Sequence, residues 1–161
     1  MRQRILYGFI VLTLLSTSAC QQEERELTAE ERNEIGRVVR QTLESYLEDI
    51  RSGGLMAEFA YLDSSADFFW VPPGYTSALT FDSVATILKA NARMFTTIDN
   101  RWETLQINPL HNILAAYTGT LKSTTIDTAG NKTDVRMIES GVMVKRADGW
   151  KILCGQSRVM E

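Results

Sequence analysis

Cysteine, histidine and proline are scarce in this chain, with two, one and three copies among 161 residues. Each scarcity excludes something. Two cysteines far apart at positions 20 and 154, with His111 as the lone histidine, cannot assemble a zinc site of ordinary composition. No stretch resembles a calcium-binding loop, so neither a metal nor a cofactor is expected. Basic side chains form no cluster and the formal net charge is −3, which leaves no electrostatic reason to bind nucleic acid. The apolar run Ile5–Leu15 has 11 residues. A bilayer core of about 30 Å needs roughly 20 helical residues, so this run is too short to span one. The chain has no repeats and no low-complexity tract.

What is present begins at the N-terminus. Arg2 and Arg4, the apolar run and the small residues up to Cys20 follow the three-part plan of a secretory signal. The stretch "TSAC" resembles a bacterial lipobox, with Thr17 where that motif usually has leucine and Leu15 two residues further back. The resemblance implies a signal peptide over residues 1–19 and lipid on Cys20. Several acyl chains on one residue anchor stably, each buried methylene contributing about 0.8 kcal/mol. Gln21 is not the aspartate that signals inner-membrane retention, so the expected location is the outer membrane, facing the periplasm. Residues 20–27, with the polar run "QQEERE", read as a tether and residues 28–161 as one domain. Without residues 1–19 there are 15 basic and 20 acidic side chains, a net charge of −5. With Cys20 lipidated, Cys154 has no disulfide partner.

The domain starts with its clearest helix. Thr28 and Glu31 form a capping box, Ile35, Val38, Val39, Leu43, Tyr46, Leu47 and Ile50 make an apolar stripe, and Gly53 and Gly54 end it. A short helix is expected over Leu55–Leu62, a strand over Ala66–Val71 stopped by Pro72 and Pro73, and a helix from Phe81 to Phe95. Strands are expected near Trp102–Asn108, Ile113–Asp127, Thr133–Arg146 and Trp150–Val159, with turns at "TAGNK" and "ADG". Helices first and a four-strand meander after them indicate an α+β domain, its helices on one face of an antiparallel sheet.

Three stretches then carry a resemblance. "SADFFWVPPG", "NILAAYTGT" and "ADGWKILCGQS", in this order on a helix-first chain, resemble the first strand, the central strand and the closing hairpin of the nuclear-transport-factor-2-like superfamily, which includes SnoaL-like proteins and ketosteroid isomerase. The resemblance spans roughly residues 30–158. It implies a cone-shaped fold in which a curved antiparallel sheet packs on N-terminal helices around a cavity. Set against ketosteroid isomerase, Tyr46 falls on the oxyanion-hole tyrosine. Val71 stands at the general base, where it can move no proton. The second acid falls at Gly141, with Glu139 the nearest carboxylate, two residues away on the same strand face. One role in three matches, which argues against isomerase chemistry by that mechanism.

The candidate pocket residues are Tyr46, Trp70, Tyr117, Glu139, Cys154 and Gln156. Tyr46 is on the helix's apolar stripe, so it is a core residue or a ligand contact. Glu139 faces either water or a polar cavity; in a cavity, burial would raise its pKa. Asp63 and Asp67 read as cap and turn residues. At period two, Trp150, Ile152, Cys154 and Gln156 share one strand face, so the last two are candidate cavity wall. Cys154 has no neighbouring base to activate it and suits a small core residue. Phe68, Trp70, Tyr75 and Tyr117 suit an apolar ligand, or they fill the cavity themselves.

The resulting expectation is an envelope lipoprotein that binds a small, mostly apolar molecule or a protein partner without catalysis. The alternatives are an acid–base enzyme using Glu139 and Tyr46, and a structural protein with a filled cavity. A homodimer through the open sheet face, using Met143 and Leu153, is a further expectation.

Overall fold

The computed structural model describes residues 25–160; the expected signal peptide, Cys20 and most of the tether lie outside the described residues. Helix α1 is Ala29–Gly53. Its capping box is complete: the Thr28 hydroxyl accepts from the Glu31 backbone N–H, and the Glu31 carboxylate accepts from that of Thr28. Val39, Leu43, Tyr46, Leu47 and Ile50 are its buried stripe. Gly54 ends the helix at φ 76°, a left-handed conformation that glycine adopts without strain.

A 3₁₀ helix, Leu55–Ala60, replaces the short α-helix expected there. The strand β1 is only Phe69–Val71. Helix α2, Phe81–Asn91, ends four residues earlier than expected, and the strand β2 then runs over Phe95–His111. Residues 95–101 become strand because they pair with the far half of β3, Leu114–Asp127. A local period cannot report such a partner. The strands β4, Lys132–Arg146, and β5, Gly149–Val159, complete the sheet.

The strand order is β1-β5-β4-β3-β2. The four long strands form the expected antiparallel meander. The first strand joins β5 in parallel, so the sheet is mixed at that edge. The helices cover one face, where Val39, Leu43, Met143 and Ile152 form the fully buried centre. Backbone hydrogen bonds from Asp63 N–H to Ile152 O (2.9 Å) and from Ile152 N–H to Tyr61 O (2.7 Å) hold the segment after the 3₁₀ helix against β5. Asp63, 3 % exposed, accepts from the Ser65 N–H as a turn residue and also pairs with Arg146. Burial opposes its charge, but the hydrogen bonds from Arg146 and Ser65 outweigh that and hold its carboxyl below the usual range.

Curvature comes from bulges and glycines. The β2–β3 pairing shifts register three times. Gly141 and Gly155 face each other across β4 and β5. A Cβ on Gly141 would meet the Tyr117 ring at 2.9 Å, and one on Gly155 would meet the Trp70 ring at 2.5 Å. Both aromatics therefore take the space that a side chain at these positions would need.

One further bulge corrects two expectations. Val142 pairs with Cys154 and Met143 with Ile152, so Leu153 is an extra, unpaired residue. The period of two breaks there. Trp150 and Ile152 point into the core as expected, but Cys154 and Gln156 fall on the outer face. Met143, expected on the open face, is 0 % exposed and packs in the core for a separate reason: β4 keeps its alternation, so Met143 shares the inner face of Glu139 and Gly141.

Candidate functional site

The curved sheet, α1, the 3₁₀ helix and α2 enclose a conical cavity of about 340 Å³. Leu47, Leu55, Val84, Leu88, Ile98 and Leu121 give it an apolar wall. Trp70, Pro72 and Pro73 close the side next to β1. The cavity is thus not filled by its aromatics, and its size lies at the lower end of ordinary small-molecule sites.

Two carboxyl groups enter this wall, each with a tyrosine. Glu139, on β4 and 7 % exposed, accepts a 2.9 Å hydrogen bond from the Tyr117 hydroxyl. Burial lifts its pKa to about 7; the bond from Tyr117 offsets part of that rise, and the charge of Glu58 adds to it. Glu58 comes from the 3₁₀ helix. It is half-buried, and desolvation likewise lifts it to about 7, the Tyr46 hydroxyl nearby opposing part of the rise. The two tyrosines are pushed well above the ordinary phenol range, first by burial and then by the two glutamates, so both are donors at all ordinary pH values.

Tertiary packing holds these groups in place. The Trp102 ring N–H donates to Leu43 O at 3.2 Å, and its ring meets Tyr117 edge-on at 6.3 Å. Tyr46 meets Tyr61 edge-on at 5.4 Å. Tyr117 is fixed between Trp102 and Gly141, and its hydroxyl reaches Glu139.

Of the residues singled out from sequence, Tyr46, Trp70 and Glu139 line the cone and Tyr117 stands directly behind Glu139. Cys154 and Gln156 are not brought to it. Cys154 stands beside Phe69 on the outer face, its thiol raised by burial, and Gln156 is exposed. Val71 pairs with Gln156 and also turns outward. His111 is exposed at the β2–β3 turn, away from the carboxyls. Glu58 was missed. Its one sequence signal is a single carboxylate in the apolar stretch "LMAEFAYL", directly after the glycines that end α1.

No protein-family model and no curated protein matches the sequence. Solved structures do match in shape. One is provisionally described as a scytalone dehydratase from Novosphingobium aromaticivorans, with TM-score 0.74 and 12% identity over 83% of this chain and 89% of that one. Another is the hexachlorocyclohexane dehydrochlorinase LinA-type3 from Novosphingobium barchaimii, with TM-score 0.66 and 9% identity over 83% and 92%. A nuclear-transport-factor-2-like superfamily protein from Salmonella enterica has TM-score 0.61 and 15% identity over 83% and 92%. The fold is nuclear-transport-factor-2-like. At these identities the likeness shows the fold alone, and a nuclear-transport-factor-2-like cone does not by itself fix a reaction.

Proposed function

We propose that the cone binds a small, mostly apolar organic molecule and moves a proton on it. One observation carries this reading: two desolvated carboxyls with pKa values near 7, Glu139 hydrogen-bonded to Tyr117 and Glu58 beside Tyr46, converge on one apolar cavity. Each disfavours ionisation of the other, so near neutral pH the pair holds about one proton between them. The ionised member is a base and the protonated member an acid, both with driving force matched to the working pH. Tyr46, which lines the cone, offers a hydroxyl to negative charge that develops on the ligand, and Tyr117 donates to Glu139 from behind and holds it in place. Proton abstraction next to a carbonyl or a leaving group, giving isomerisation or elimination, fits this set. The dehydratase and dehydrochlorinase names of the shape-matched proteins are in keeping with elimination.

The test is solvent deuterium exchange into a panel of small cyclic ketones incubated with the protein in D₂O. Exchange should fall at least ~100-fold in Glu139→Gln and in Glu58→Gln, the usual loss for a general acid or base. Binding that survives both substitutions, with no exchange into any ketone, would instead support binding without turnover. That second reading is favoured by Val71 and Gly141 standing where the resemblance places two of the isomerase's functional acids.

The reading extends to location. A lipid on Cys20 would tether the cone to the envelope membrane, "TSAC" being the support for it. Cells fed labelled palmitate should yield labelled wild-type protein in the membrane fraction. Cys20→Ser should carry no label and leave that fraction. Label that persists on the variant would remove the anchor from this account.

A further inference from the structure

We infer that the end of the cone remote from the two glutamates recognises a hydrogen-bond donor on an uncharged ligand, through the side chain of Asn100. The Asn100 side chain is half-buried, and its Oδ1 atom, shielded from water, has no hydrogen-bond partner among the described residues. The large majority of buried side-chain polar atoms in folded proteins have one, from protein or from ordered water, because an unmet acceptor is costly. Asn100 lies between Ile98 and Trp102 on the inner face of β2, and its partner across the sheet is Ser123, itself buried. Asn100, Ser123 and Thr125 all line the cone, forming a polar patch in an apolar wall.

The patch is well separated from the carboxyls. Glu139 stands opposite Gly119 on β3, four residues from Ser123. At about 3.3 Å per residue that is roughly 13 Å of strand. Leu121 and Met137, paired with each other, fill the row between. The cone thus offers acid–base groups at one end, an apolar middle, and an amide acceptor with two hydroxyls at the other. Among the described residues no lysine, arginine or histidine lines it, so an anion would find two carboxyls and no countercharge there. The ligand class that fits is uncharged, flat or elongated, with an apolar body and a hydroxyl or N–H at the end away from the reacting centre. The inference rests on the cone being a ligand site, and the experiment separates the two claims.

Indole and 1-methylindole are matched apolar probes that differ in one donor. Their affinities for the purified full-length protein are measured by calorimetry, alongside Asn100→Leu and Asn100→Val. The second variant suits a strand, and thermal melts show which variants keep the fold. Wild type should bind indole about fivefold or more tightly than 1-methylindole, the usual effect of one buried hydrogen bond. In a folded variant the ratio should fall to about one while 1-methylindole binds as before. A ratio of one in wild type, or a preference that persists in the variants, overturns the role of Asn100 and leaves the cone as a ligand site. Failure of wild type to bind either probe overturns both claims.

Discussion

Glu139→Gln should make the protein more stable above neutral pH, by about 3 kcal/mol, while removing its proton-transfer activity. Glu139 has a pKa of about 7 in the fold against an ordinary 4.5. Below pH 4.5 the carboxyl is protonated whether the chain is folded or not, and it contributes no pH dependence. Between 4.5 and 7 the folded state keeps the proton and the unfolded state releases it, so stability falls as pH rises. Above 7 the loss is complete, and a shift of this size corresponds to about 3 kcal/mol. The substituted amide keeps an oxygen for the Tyr117 hydroxyl and has no charge to desolvate. Denaturant unfolding at about pH 5, 7 and 8.5 checks this, bracketing the pH range over which the folded carboxyl titrates. The variant should gain on wild type progressively, with a rise in Tm on the order of 10 °C at the highest pH. Because Glu58 contributes to the shift of Glu139, the gain in Glu58→Gln/Glu139→Gln should differ from the sum of the singles. Parallel pH profiles for wild type and Glu139→Gln would mean that the carboxyl is not held in its protonated form by the fold.

Gly155→Ala should be among the most damaging single changes, at about 3 kcal/mol. The added Cβ would stand 2.4 Å from Ser140 O, 2.5 Å from the Trp70 ring and 2.8 Å from Gly141 Cα. Two of these are backbone atoms of the neighbouring strand, which can move only by opening the sheet. Overpacking of this kind typically costs about 1–3 kcal/mol or more. The third contact is with a wall of the cone, so a chain that still folds should show displaced Trp70 fluorescence and weakened ligand binding. Gly53→Ala is the control: its Cβ would meet only Ala57 at 3.5 Å, and that change should be neutral or mildly stabilising. Equal unfolding midpoints for the two variants would show that the close approach over Gly155 is not maintained in solution.

The two predictions concern neighbouring parts of one construction. Glycines let the sheet bend, aromatic rings cover them, and one of those rings, Tyr117, carries the hydroxyl that meets Glu139. Such a site has a stability cost, since both glutamates are desolvated and Asn100 has an acceptor unmet. Groups kept at that cost are characteristic of binding and catalytic sites.

Local signals in the sequence determined much of this protein. The capping box at Thr28 and Glu31 and the stripe from Ile35 to Ile50 set α1, because both depend on residues three or four apart. Alternating strands separated by "TAGNK" and "ADG" set the meander, and with the helices ahead of it the α+β class; the cone was what the family resemblance implied. Tyr46, Trp70, Tyr117 and Glu139 were legible as inward-facing candidates, because each lies on a face that its own element defines. Only the tertiary structure decided the rest. The N-terminal part of β2 is strand because β3 lies beside it. Glu58 joins the site because Gly54 turns the chain and β5 holds the segment that follows the 3₁₀ helix. Cys154 and Gln156 lie on the outer face because Leu153 is an extra residue in the β4–β5 ladder, and Met143 lies on the inner face because β4 keeps its period of two from Glu139 through Gly141. A strand's period of two is local, but the point at which it breaks is set by the neighbouring strand, and one inserted residue reverses the face of every side chain on one side of it.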